Sequence, residues 1–564
     1  MSVILIGGSR HESYDAQYGG THALSPIAVE ALSSSTLGVD HPFSGSVDDN
    51  KSACHAKSAR RARRHCVPSS SCTDLLQRVQ PTPRLAPAMT LMWSAIRVDD
   101  LGLDPVRLAS RESFFWRSPS HIFWATGTAH RICSLPGQDS FLDLASSTTH
   151  LLHNTARNSE DLPQEDPHGP IAVGALEFFP SPQSVVTVPS FVVHWTKTGT
   201  WVHQVFRESP LEWREVLARM ARRMRSVAIP LHMDIVRMDE SHEAREGWRD
   251  AVSIALQSIE AGMIRKVVLA RSERYVVLGN LSTREVLAAL LCRTAGPYYY
   301  ASDGLVGSSP ELLVAVAGSE VRSQPLAGTV ANASPKQKQL SLPAEWSPKC
   351  RREHSIVVDD VARRLATVTD NLTIGEPAVI SLGSISHLGS TIIARKRTRR
   401  TLPPAPPPGV RSEKPDDARE GWVPTSALEF AAMLHPTPAV GGEPWPQAAS
   451  IIRTVEGIHR GRYAGPVGWV SANGDGEWAI ALRGVELTSS RLTVNAGAGI
   501  VDGSDVDDEW NETANKINYV TDALTGDRTV AGGDSTLVGR LDNLHVAARA
   551  GEIEFVPRNY SSSG

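Results

Sequence analysis

Short apolar runs broken by polar punctuation cover most of the chain, and their spacing separates strands from helices. Ile171–Phe179 (IAVGALEFF), Ser184–Trp195 (SVVTVPSFVVHW) and Thr200–Phe206 run apolar or alternate, with many β-branched residues, which predicts strands. Trp213–Met224 and Ala244–Ala261 carry apolar residues at helical spacing. Ile264–Leu278 (IRKVVLARSERYVVL) predicts a strand pair interrupted at Ser272–Arg274, and Gly304–Val316 two short strands about a turn at Ser309-Pro310. Glu353–Val368 is an amphipathic helix with Ile356, Val357, Val361 and Leu365 on one side. Arg462–Leu487 predicts a hairpin, Tyr463–Ser471 and Glu477–Leu487 about Asn473–Gly476. Leu492–Val501 predicts a strand, and Asp505 is placed to cap a last helix reaching Leu524. Strands in runs, with helices between groups of them, predict an α+β fold on antiparallel sheets.

Composition changes this picture at three places. Lys51–Val98 holds one acid, Asp74, beside Lys57, Arg60, Arg61, Arg63 and Arg64, so residues 1–91 are expected to be a disordered extension. Residues 92–525 then form one domain, interrupted at 395–421 by a basic, Pro-rich loop insertion, and 526–564 form a loosely attached tail. The Arg- and Ser-rich run within the extension resembles an organelle transit peptide but lies about fifty residues in, whereas such peptides begin at the terminus. A cytoplasmic protein is expected, with organelle import left open. The formal net charge is −4, which argues against a nucleic-acid partner. No run of eighteen apolar residues exists to cross a membrane. The six cysteines show no CxxC pair and no zinc-site spacing, and Met1–Gly8 is too short for a secretory signal.

Candidate chemistry gathers late in the chain. Glu509, Glu512 and Lys516, spaced i, i+3, i+7, share one face of the last helix, which a solvated ion-pair face would also explain. The strand before it carries Gly497 and Gly499, which let a ligand approach the backbone. Glu353 and His354 are expected to open a helix, whose positive end suits an acid or anion. Lys266 within an apolar strand and Glu311 after Ser309-Pro310 are a candidate base and acid, since burial lowers a lysine pKa and raises a glutamic acid's.

These residues lie in a recognisable order of motifs. Arg265–Arg271 (RKVVLAR), Gly307–Leu313 (GSSPELL), Gln324–Thr329 (QPLAGT), Glu353–Asp359 (EHSIVVD) and Leu434–Gly442 (LHPTPAVGG) resemble the chorismate-binding enzymes. So do Arg462–Trp469 (RYAGPVGW), Gly474–Arg483 (GDGEWAIALR) and Ala496–Lys516 (AGAGIVDGSDVDDEWNETANK). The family includes isochorismate synthases, salicylate synthases and the large subunits of anthranilate and aminodeoxychorismate synthases. The resemblance covers roughly half of the chain and is closest to isochorismate synthase. It implies large antiparallel sheets packed together, with helices outside and the site in a cleft.

It also implies residue roles. Glu353 and Glu512 match glutamates that hold Mg²⁺ on the ring carboxylate of chorismate, with Glu509 acting through water. Arg483 and Tyr463 would bind the side-chain carboxylate, helped by backbone N–H groups around Gly497 and Gly499. Thr329 and His435 match positions that place the ring, and Lys516 matches a lysine beside the metal carboxylates. Water-using members carry lysine where this chain has Lys266, and anthranilate-type members typically carry glutamine. The P-I-K-G-T lysine of the aminodeoxychorismate enzymes is replaced by Ala327. The implied reaction is therefore attack by water at ring carbon 2, with Lys266 as base, and loss of the carbon 4 hydroxyl, protonated by Glu311. No glutamine amidotransferase subunit is expected, and a monomer is. The family's K-D-R-x-E-H reads Lys349-Cys350-Arg351-Arg352-Glu353-His354, so Cys350 replaces an acid near the metal. Salicylate synthase, which also removes pyruvate, and a catalytically degraded relative are the alternatives. The motifs leave open whether a quinone, a siderophore or salicylate lies downstream.

Overall fold

The computed structural model describes residues 90–526 except 99–101, 135–140, 158–167, 182–183, 197–198, 225–231, 239–241, 280–281, 332–345, 383–384, 398–421 and 489. The extension, most of the Pro-rich insertion and the tail lie outside the described residues. Their edges are described and belong to the folded unit. Leu91 is buried and its carbonyl accepts from the Ala156 N–H at 2.8 Å, while the Gly526 carbonyl accepts from His232 Nδ1 at 3.0 Å. Arg395 and Lys396 end the strand Ile392–Lys396 and do not open a loop. Arg395 stands opposite Glu320 across the sheet, a pairing of opposite charges that suits a strand.

Among the described residues two large sheets, of thirteen and nine strands and antiparallel except where Met92–Val98 pairs with Ala156–Arg157, enclose an aromatic layer. Period-two alternation sends side chains to both faces. Along Ser113–Arg117, Phe114 and Trp116 enter the layer between the sheets with Trp469 and Ala479, while Phe115 turns outward. Tyr298 and Tyr300 repeat the pattern against Tyr299 and Ala301. The outer face of the larger sheet is covered by helices Thr283–Arg293 and Val506–Thr525, and that of the smaller by Phe141–His153 and Ala427–Leu434. Both faces are therefore dry, which is why the strands read as continuous apolar runs. A third sheet of three strands includes Leu326–Ala331 and Ile385–Gly389. This is the α+β arrangement expected. No helix among the described residues is long and apolar enough to cross a membrane.

Three local expectations fail, each for a physical reason. Lys266–Val277 is one unbroken strand, because its polar centre is satisfied within the sheet: Ser272 hydrogen-bonds Asn495, and Glu273 accepts from Arg271 and from Tyr275, both at 2.6 Å. The Glu353 helix begins at Pro348, capped by the Ser347 hydroxyl, so Glu353 and His354 sit in its second turn. The hairpin pairs only Pro466–Ser471 with Gly476–Ile480. The chain then leaves at Arg483, whose φ of 50° kinks it into the other sheet as Gly484–Leu487.

Candidate active site

Two of the chain's crossings between the large sheets lie side by side, and each carries a candidate residue. Ser309-Pro310-Glu311 links strand Leu305–Ser309 of the larger sheet to Leu312–Ala317 of the smaller, and Ala481–Arg483 makes the reverse passage. The crossings are stitched together. The Ser308 N–H donates to the Arg483 carbonyl at 3.0 Å, the Ile480 N–H to the Glu311 carbonyl at 3.2 Å, and the Ser309 hydroxyl to the Ile480 carbonyl at 2.6 Å. Beside them opens a cleft lined by Glu311, Thr329, Glu353, Tyr463, Arg483, Gly497, Gly499 and Lys516 among others.

Burial dominates its electrostatics. Glu311 is pushed up to about 8, because desolvation outweighs a backbone N–H from Leu326 and the charges of Lys266 and Lys516. Tyr463 is raised to about 12 by burial. Burial also pulls the Arg483 guanidinium below its usual range, yet an arginine remains cationic. Its Nη1 is buried without a hydrogen-bond partner among the described residues, leaving a donor for a carboxylate.

The glycines belong to the edge of strand Arg491–Ile500. The N–H groups of Val268 and Ala270 point away from this strand, to the Gly441 carbonyl and to Glu456 Oε1. Their partners Gly499 and Gly497 thus form non-hydrogen-bonded pairs, with their own N–H and C=O groups on the free edge. Lys516 uses one of these, donating to the Gly497 carbonyl at 2.7 Å and to Glu512 at 2.6 Å. A Cβ on Gly499 would stand 2.1 Å from Glu353 Oε1. Thr329 is presented by a register shift in its strand, where Gly328 has φ 74°.

Lys266 is fully buried beside the cleft and is not among the residues lining it. Its Nζ lies 3.0 Å from Glu353 Oε1, an ion pair without hydrogen-bond alignment, so the helix Pro348–Val368 supplies this strand's amine with a carboxylate partner. Glu509 and Glu512 lie behind Lys516, on the same helix. Burial and the nearby Glu512 raise Glu509. Burial also acts on Glu512, but Lys516 and Lys349 more than offset it and lower it. The Lys349 ammonium pairs with Glu509 and is raised by Glu512 and Glu353 as well, so one cation stands among all three carboxylates. The three do not bring an oxygen each to within 4.8 Å of the others. The donor set is nonetheless that of a hard cation: carboxylate oxygens around a point already held by positive charge.

His435 does not reach the cleft. It caps helix Ala427–Leu434, and its Nε2 donates to the Phe178 carbonyl at 2.9 Å, among Phe141 and Phe178 on another side of the core. Two cleft residues were absent from the sequence reading. Arg460 spends its donors on Glu456, Val440 and Val268 and is a brace. His387 meets Arg483 Nη2 at 2.7 Å, and only an isolated histidine in an apolar strand marked it.

A family model described as "Chorismate binding enzyme" matches residues 93–403 and 422–525, skipping part of the Pro-rich segment. The chain belongs to the chorismate-binding enzymes. Isochorismate synthase DhbC of Bacillus subtilis is 29% identical over 426 residues, 73% of this chain and 93% of that protein. The salicylate biosynthesis isochorismate synthase of Pseudomonas aeruginosa is 33% identical over 294 residues, 51% and 56% of the two chains. The structure of MenF, the menaquinone-specific isochorismate synthase of Escherichia coli, matches with a TM-score of 0.59 at 25% identity, covering 77% of this chain and 94% of that one.

Proposed function

We propose that the chain is an isochorismate synthase, converting chorismate to isochorismate. The observation that carries this reading is the pairing of a buried amine at Lys266 with a carboxyl at Glu311 that stays protonated near neutral pH, about one cleft with a spare arginine donor. The similarity to DhbC and MenF supports it. Lys266 supplies the base that an added water requires, and Ala327 removes the amine nucleophile of the aminodeoxychorismate type.

Arg483, Tyr463 and the free-edge amides of Gly497 and Gly499 bind and orient the side-chain carboxylate. Lys266, as the neutral amine with its own proton lost, accepts the proton of the water that attacks carbon 2, and Glu311 donates its proton to the departing carbon 4 hydroxyl. Glu353 and Glu512 would hold Mg²⁺, with Glu509 reaching it through water. The ion, when bound, neutralises the ring carboxylate. Glu353 also pairs with Lys266, so one carboxylate would serve both the ion and the amine. The amine and carboxyl remain close enough to interact electrostatically.

The purified protein, incubated with chorismate and Mg²⁺ and analysed by chromatography, should yield isochorismate alone. Salicylate with pyruvate would make it a salicylate synthase, and unchanged chorismate a degraded relative.

A further inference from the structure

We propose that His121, His168 and His194 form a transition-metal site, of the class filled by Zn²⁺, that ties the two large sheets together. None of the three lines the catalytic cleft. His121 immediately precedes strand Ile122–Thr126 of the larger sheet, and His194 lies within its neighbour Phe191–Thr196. His168 precedes strand Ile171–Ala175 of the smaller sheet. One nitrogen from each imidazole lies within 4.8 Å of the other two.

The spacing is that of metal ligands. Zn–N bonds of about 2.0–2.1 Å at the tetrahedral angle put two ligating nitrogens about 3.3 Å apart and two imidazole centroids about 5.2 Å apart. Here His121 Nδ1 and His194 Nε2 are 3.2 Å apart, and the three centroid separations are 5.3, 5.3 and 5.1 Å. Nδ1 of His194 is buried without a hydrogen-bond partner among the described residues. Burial and mutual repulsion lower His168 to about 3 and His194 well below its usual value, so both present neutral, ligating imidazoles. Phe123 and Trp469 wall the cluster, and His203 on the next strand is near enough to act electrostatically on His168 and His194. An all-imidazole set selects Zn²⁺, Cu²⁺ or Ni²⁺ and is a poor match for Mg²⁺, which prefers oxygen. An ion here bridges a strand end of each sheet, so its effect falls on stability and not on turnover.

The test uses the full-length chain, stripped with chelator and titrated with Co²⁺ in excess Mg²⁺, which keeps the acidic cleft occupied. One Co²⁺ per chain should be retained with the intense visible absorption of a four-coordinate nitrogen-ligated ion, displaced by Zn²⁺, and Zn²⁺ should raise Tm. The double variant His121→Gln, His168→Asn should lose the band and the Tm gain while chorismate turnover stays unchanged. Should that variant fail to fold, His121→Gln alone, at a half-buried position, should lose the same band. No band in the wild-type protein, or a band that survives in the variants, would overturn the proposal.

Discussion

Arg483 donates to Nε2 of His387 at 2.7 Å, and that contact settles where the imidazole proton lies. A guanidinium has donors only, so Nε2 must accept and Nδ1–H turns to the Gly328 carbonyl, 3.2 Å away. Burial, and after it the neighbouring Arg483 cation, keeps the ring neutral, holding it well below the usual histidine range. His387 therefore aims the arginine from behind. Replacing it with alanine leaves Arg483 short of a partner, at a cost of about 1–3 kcal/mol, and should raise KM for chorismate about tenfold or more with little change in kcat. Steady-state kinetics check this, and a fall in kcat at constant KM would remove the positioning role.

Glu311 should impose an alkaline limb on activity. Its carboxyl must be protonated to serve as the acid, and burial holds it up to about 8, so kcat should decline as pH rises through about 8. The same raised value makes the folded state bind the proton more tightly than the unfolded chain. Its contribution to stability is full below the ordinary carboxyl range and is lost as pH climbs towards 8. In Glu311→Gln both dependences should vanish, along with a roughly 10²–10⁴-fold share of turnover. A pH–rate profile and thermal melts at several pH values read the two effects separately.

Much of the cleft was legible in the chain because its residues occupy contiguous motifs. Glu311, Arg483, Gly497, Gly499 and Lys516 arrive together once two sheet crossings are laid side by side. What stayed hidden depends on non-local partners. Ser272 and Glu273 look like a break until Asn495 and Arg237 are placed beside them. His435 sits in a matching motif, but a helix cap and the Phe178 carbonyl turn it elsewhere. Lys266 reads as an amine in apolar surroundings, and only the folded chain supplies Glu353 as its partner. The alternation along Ser113–Arg117 is masked because both faces of the strand are buried, so the helices outside had to be known first.

Gly499→Ala should act on the metal site without touching a ligand. Its Cβ would meet Glu353 Oε1 at 2.1 Å and Lys266 Cε at 3.1 Å, so the carboxylate must move. The Mg²⁺ concentration for half-maximal turnover should rise about 10–100-fold, the scale on which displaced supporting contacts weaken metal sites. A Mg²⁺ titration of turnover in the variant decides it, since an unchanged midpoint would place the ion elsewhere.

Lys266→Ala should lower turnover about 10²–10⁴-fold while chorismate still binds. The substitution also leaves Glu353 without its countercharge in a buried setting, so Lys266→Gln, closer in volume, is the companion variant. Circular dichroism should report both as folded, and turnover near wild type in either would remove the lysine from the mechanism.

The account rests on water being the nucleophile, and isotopic labelling tests that most directly. Chorismate turned over by the wild-type protein in ¹⁸O-water should give isochorismate carrying one labelled oxygen, at the carbon 2 hydroxyl, as mass spectrometry would read. Isochorismate formed without label would mean that the hydroxyl migrates within the substrate, which would contradict the roles given to Lys266 and Glu311.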